Sequence, residues 1–102
     1  MNYYIYILYS ESSDIYYVGY TTDIERRLME HNEISEHSFT SKHRPWQLKV
    51  LFYVGEKLEI ALELERFIKR QKSRNFIERF IDENVVLSGK LAQLVRVPQL
   101  RD

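Results

Sequence analysis

Aromatic and aliphatic residues run almost unbroken from Tyr3 to Tyr9 and again from Tyr16 to Tyr20, with a polar, acidic stretch, Ser10 to Ile15, between them. Such residues favour a pleated, half-buried surface, and the polar link suits a tight connection, so the pattern predicts a hairpin of two strands. Side chains alternate faces along a strand. Tyr3, Ile5, Ile7 and Tyr9 therefore share one face, and Tyr4, Tyr6 and Leu8 the other. On the second strand Tyr17 and Gly19 share a face, and Gly19 leaves room for another group to approach the backbone. Taken alone, these tyrosines read as core and edge packing.

Beyond the hairpin the period changes. Thr22 followed by Glu25 reads as a capping box opening a helix, with Ile24, Arg27, Leu28 and His31 at i, i+3, i+4 and i+7. Ile24 and Leu28 can anchor that helix on the sheet, which sets Arg27 and His31 one turn apart beside the anchored face. Each also has a plain reading, a snorkelling surface arginine and a helix-end histidine. Residues 32–46 form a long polar loop, and Trp46 to Val54 a third strand broken by Gly55. Leu58, Ala61, Leu62, Glu65 and Ile68 fall on one helical stripe. Glu65 interrupts it, and a carboxylate on an apolar side needs a cation or a metal. A salt bridge to Arg27 is the structural alternative, a metal ion the functional one. Ser73 or Asn75 caps a third helix with an apolar face of Phe76, Ile77, Phe80 and Ile81, ending near Asn84. Residues 88–95 suggest a last short helix, stopped by Pro98, with a fraying C-terminus.

Composition narrows this picture. The 102 residues suit one domain with one modest core. The absence of cysteine removes disulfides, cysteine zinc sites and thiol nucleophiles. No run is apolar enough to span a membrane, and the N-terminus lacks the order of a signal peptide, so a cytoplasmic protein with no membrane partner is expected. Net charge is formally zero, which counts against whole-surface attraction to nucleic acid. Its distribution is uneven: the first 22 residues hold Glu11 and Asp14 and no Lys or Arg, whereas Arg66, Lys69, Arg70, Lys72 and Arg74 form a basic stretch. That stretch is either a phosphate-binding patch or a solvated helix face. Phe39, Thr40, Lys42 and Arg44 in the long loop mix an aromatic ring with hydroxyl and basic groups that could touch a polyanion; the loop reads equally well as a connection.

Tyr6, Tyr17, Arg27, His31 and Glu65 thus converge as a possible proton acceptor, a fixed cation and a metal ligand, the parts needed to cut a phosphodiester bond. Here the chain resembles the GIY-YIG nuclease superfamily, and most of all its small single-domain, UPF0213-like bacterial branch. The resemblance covers roughly residues 3–82. Tyr4-Ile5-Tyr6 stands at the first motif, with Tyr4 in place of its glycine, and Tyr17-Val18-Gly19 at the second. Residues 23–32 are similar to the helix carrying the family's arginine and the branch's histidine. Arg44-Pro45 resembles a basic turn, and residues 61–69 are similar to the helix of the metal-binding glutamate.

The resemblance implies an α/β (α+β) fold, a three-stranded antiparallel sheet flanked by helices, over residues 1–82. Residues 83–102 would be a C-terminal helical extension and tail of the same domain. It implies metal-dependent hydrolysis of DNA, of a structured or branched kind, in repair or recombination. Glu65 would hold Mg²⁺ or Mn²⁺, Arg27 would neutralise the scissile phosphate, Tyr6 or Tyr17 would orient or deprotonate the attacking water, and His31 would relay its proton. Phe39, Thr40, Lys42, Arg44, Lys69 and Arg70 are the expected nucleic-acid contacts. A non-catalytic nucleic-acid-binding module on the same fold is the alternative.

Overall fold

The computed structural model describes residues 1–34 and 36–98. Strands β1 (Tyr3–Ser10), β2 (Ile15–Thr21) and β3 (Trp46–Gly55) form where the aromatic and aliphatic runs predict them. Helix α1 spans Ile24–Met29, α2 Leu58–Arg70 and α3 Arg74–Ile81. The sheet has four strands rather than three, in the order β2-β1-β3-β4, with every neighbouring pair antiparallel. The fourth is β4 (Val95–Arg96), which begins at the last residue of the helix expected over 88–95. Only Gly89–Gln93 coils there, as a 3₁₀ turn. Leu91 and Leu94 are buried, and the chain after them pairs with β3 through Phe52–Arg96 and Tyr53–Val95. A helix cannot offer an open row of donors and acceptors to a strand edge, so the edge of β3 selects the extended form.

Central β1 is covered on both faces, and Ile5 to Leu8 are all buried. On one face Ile5, Ile7, Val18, Val50 and Phe52 meet Leu64 and Ile68 of α2, Ile77 and Phe80 of α3, and Leu91 and Leu94. On the other, Tyr6, Leu8, Trp46 and Leu51 form a second core, against which Tyr17, Leu48, and Ile24 and Leu28 of α1 pack.

Three local expectations shift. The cap of α1 is Asp23, whose side chain accepts from the Arg26 N–H at 3.1 Å, not Thr22. The Thr21 hydroxyl accepts from the Asp23 N–H at 3.0 Å, and this small turn delivers the cap one residue later. Ser73, one of the two expected caps of α3, accepts from the Phe76 N–H at 3.1 Å, and α3 ends at Ile81 before reaching Asn84. The buried residues of α2 are Ala61, Leu64 and Ile68, with Ile60 and Phe67 beside them, while Leu58 is exposed. Glu65 therefore flanks the buried face instead of interrupting its middle. The expected fraying concerns the last residues of the chain, and residues 99–102 lie outside those described.

Candidate active site

The second sheet face carries the site. Tyr6 and Gly19 are cross-strand partners, and a β-carbon on Gly19 would lie 2.3 Å from the Tyr6 hydroxyl oxygen. The glycine thus lets the phenol ring lie flat over β2, and the group that approaches the bare backbone is Tyr6 itself. Helix α1 ends at Met29 and widens into a π-helical turn, Glu30–Ile34, which buries His31 to 3% exposure. Irregular turns of this kind are frequent at functional sites.

Four of the five catalytic candidates meet here. The Tyr6 hydroxyl lies 2.8 Å from His31 Nε2 and receives a 3.3 Å hydrogen bond from Arg27 Nε. Arg27 Nη1 donates to Glu30 at 3.1 Å. The Tyr17 ring lies 6.4 Å from Tyr6 and 5.1 Å from His31, centroid to centroid. The fifth, Glu65, belongs to α2, which packs on the other face next to edge strand β2. Its partner is Lys69, one turn on at 3.6 Å, not Arg27. The Lys69 ammonium lies 5.6 Å from the centroid of the Tyr17 ring, so this pair comes round the sheet edge to the tyrosines. Glu65 is near enough that its charge contributes to raising the pKa of Tyr6.

The electrostatics follow from burial. Desolvation pushes the Tyr6 phenol up to about 12, against the hydrogen bond from Arg27, which favours the phenolate. Desolvation, and then the Arg27 charge, lower His31 to about 4, so the imidazole is neutral near pH ~7. Burial opposes the charge on Arg27, but its hydrogen bonds to Tyr6 and Glu30 outweigh that and hold its pKa above the usual value.

The expected nucleic-acid contacts divide. Phe39 is 56% exposed, stacks at 25° to the Tyr17 ring and lies 4.7 Å from His43. Lys42 is exposed on the short 3₁₀ turn Thr40–His43, and Lys69 and Arg70 are exposed near the end of α2. Thr40 is not a surface contact: it is 4% exposed, and its hydroxyl lies 2.9 Å from His31 Nδ1. Arg44 is half-buried and donates to the carbonyls of His31, at 2.6 Å, and Glu30, holding the wide turn from behind. The loop, which in sequence reads equally well as a polyanion contact or a connection, forms the back wall of the site. Asn32 clamps the Trp46 main chain from both sides, at 2.5 and 3.0 Å, and Trp46 Nε1 donates to the Thr40 carbonyl at 2.8 Å. Of these supports, only Glu30, three residues after Arg27, had a sequence signal in its helical spacing.

Among the described residues no three His, Cys, Asp or Glu side chains gather as a metal cluster. Glu65 is then a single-carboxylate donor, and its side chain is 17% exposed. One carboxylate fits a hard cation that keeps several waters and takes phosphate oxygens, such as Mg²⁺ or Mn²⁺; it does not fit a cation needing three or four protein ligands.

The small antiparallel α/β domain thus gathers an arginine, two tyrosines and a buried neutral histidine around one sheet face. The model of the GIY-YIG catalytic domain matches residues 2–78, and the chain belongs to that family. It is 40% identical to a UPF0213 protein of Haloquadratum walsbyi over 88 residues, covering 82% of this chain and 98% of that one. It is 37% identical to a UPF0213 protein of Streptococcus pneumoniae over 82 residues, covering 79% of each. The fold is similar to the solution NMR structure of a UPF0213 protein from Bacillus halodurans, with a TM-score of 0.52, 30% identity, and coverage of 83% and 87% of the two chains.

Proposed function

We propose that the protein is a divalent-metal-dependent endonuclease that hydrolyses phosphodiester bonds in DNA, with structured DNA of the kind met in repair and recombination as its substrate. The observation that carries this reading is the chain of hydrogen bonds Arg27–Tyr6–His31, buried at its centre and open at its arginine end. A packing role needs no such polarity. Two nitrogens of the guanidinium are held by Tyr6 and Glu30, and its outer edge is presented to a phosphate, where developing charge is greatest. Tyr6, at 1% exposure and with its pKa pushed up to about 12, is a poor base toward water; it holds Arg27 in place and passes polarity to His31. Tyr17 is half-buried and faces outward between Phe39 and Lys69, so it is the tyrosine that orients the attacking water. Glu65 would hold the Mg²⁺ or Mn²⁺, which supplies Lewis-acid stabilisation of the phosphate.

Around this centre Phe39 offers a ring face to a nucleobase, and such stacking contributes about 1–3 kcal/mol per base. An open cleft of about 400 Å³ continues from Tyr17 past Lys69 to Lys72 and Arg74; Arg74 is paired with Asp14 and Glu78 and Lys69 with Glu65, and a phosphate backbone along this rim would compete for those cations. A stacked base is available only where pairing is interrupted, which favours branched or single-stranded DNA over intact duplex.

The Lys69 ammonium at 3.6 Å from Glu65 favours a second reading, a module that binds nucleic acid without cutting it, because that carboxylate is already neutralised. One experiment separates the two. Mg²⁺ and Mn²⁺ are titrated into the protein with branched, nicked and single-stranded DNA, and Glu65→Gln is run beside it. Metal-dependent cleavage lost in Glu65→Gln, with DNA binding retained, supports the nuclease. Binding without cleavage at any metal concentration supports the module.

A further inference from the structure

The geometry points to Thr40 as the positioning residue that holds His31 in one tautomer, with the proton on Nδ1 and the Nε2 lone pair turned to Tyr6. The direction of the hydrogen-bond chain determines this. A guanidinium only donates, so Arg27 Nε donates to the Tyr6 oxygen at 3.3 Å. The Tyr6 hydroxyl is buried, and among the described residues the acceptor within reach of its proton is His31 Nε2 at 2.8 Å. If Nε2 carried a proton instead, Tyr6 would accept twice and its own proton would be buried without a partner, which is unfavourable. With Nε2 as acceptor, the ring proton sits on Nδ1 and needs an acceptor of its own.

Thr40 supplies that acceptor at 2.9 Å and passes its own proton toward Ser38 Oγ, at 3.3 Å on the half-buried side. Its main chain is held in place by the indole of Trp46, which donates to the Thr40 carbonyl at 2.8 Å. No buried polar side-chain atom among the described residues is left without a partner, as this arrangement requires. The chain Arg27→Tyr6→His31→Thr40→Ser38 therefore has one sense. It keeps the Nε2 lone pair on the Tyr6 hydroxyl and so holds the phenol oxygen toward Arg27.

The assignment is tested without substrate. Histidine-selective ¹⁵N NMR of the full chain near neutral pH, with His31 assigned by its loss in His31→Gln, reads which ring nitrogen is protonated. The wild type is expected to show protonated Nδ1 and unprotonated Nε2. Thr40→Ser should preserve that signature, whereas Thr40→Val should give protonated Nε2 or a mixture. A wild-type spectrum with protonated Nε2, or a Thr40→Val spectrum like the wild type, overturns the assignment. Where Thr40→Val does not fold, Thr40→Ala takes its place in the comparison.

The kinetic arm rests on the nuclease reading. There Thr40→Val should lower kcat at least about tenfold, a modest part of what acid–base groups contribute, with KM unchanged and Thr40→Ser restoring it. Unchanged kcat in a folded Thr40→Val protein would count against the positioning role. If the wild type cleaves nothing, the nuclease reading falls, and the tautomer still stands or falls on the spectra.

Discussion

Gly19 has no side chain because Tyr6 lies where one would be. Gly19→Ala should displace the buried ring, stretch the Tyr6–His31 bond and cost about 1–3 kcal/mol, in the range of overpacked cores. Denaturant unfolding measures it, and a variant as stable as the wild type would show that the ring is free to move. His31 makes a second prediction. Its pKa falls from about 6.5 unfolded to about 4 folded, so below about 6.5 the unfolded chain binds the proton that the folded one refuses. Stability from the neutral imidazole is complete above that pH and is lost as pH falls toward about 4, a change on the order of 3 kcal/mol. The stability advantage of wild type over His31→Gln should shrink across this window in pH-dependent melting; a constant difference would mean an ordinary histidine. Glu65 is different again. Its ion pair with Lys69 is an i,i+4 pair, half-exposed on the lysine side, and worth at most about 0.5 kcal/mol. Glu65→Gln should therefore melt close to the wild type while losing metal-dependent cleavage. A large fall in melting temperature with cleavage intact would return Glu65 to a structural role.

At the scale of elements, the segment after α3 does more than trail away. Arg96 of β4 donates to the carbonyls of Ile81 at 2.8 Å and Asp82 at 2.9 Å, and its guanidinium lies 5.3 Å from the Phe52 ring centroid. The last carbonyls of a helix lack intrahelical donors and attract cations, so Arg96 caps α3 from the neighbouring strand. It thereby fastens β4 and α3 to the same core, in which Phe52 stacks on Phe80 at 4.6 Å. Arg96→Ala should cost about 1–2 kcal/mol, from lost charged hydrogen bonds, and should loosen β4 before the rest of the sheet. Amide exchange at Val95 and Arg96 is the measurement, and unchanged protection there would show that strand pairing alone holds the segment.

Across the whole molecule, opposite charges balance and attraction to DNA has to be local. Lys69 lines the cleft that runs from Tyr17 along the edge of β2, and Arg70 follows it at the end of α2. If both contact phosphates, changing them together to Ala should reduce the slope of log affinity against log salt by roughly 1–2, with little dependence on DNA sequence. An unchanged slope would assign them to a solvated helix face, with Lys69 serving only Glu65.

The sequence by itself determined the first three strands, the three helices and the sharing of one face by Tyr6, Tyr17 and Gly19. Those follow from periods of two and 3.6 and from glycine's missing side chain, all of them local. It also placed Arg27 and His31 one turn apart on the right element. The fourth strand was hidden because two residues of β4 have no pattern of their own; the free edge of β3 makes them a strand. The pairing of Glu65 with Lys69 was not legible, because a helical stripe shows periodicity but not which flank meets the sheet. Thr40 reads as a nucleic-acid contact, and nothing in the sequence points to its bond with His31. Nine residues and an irregular turn separate it from His31, and its role exists only once the loop folds back over the imidazole. Hydrogen bonds between buried side chains need positions set by the whole chain, so the network at the centre of the site is a property of the tertiary structure alone.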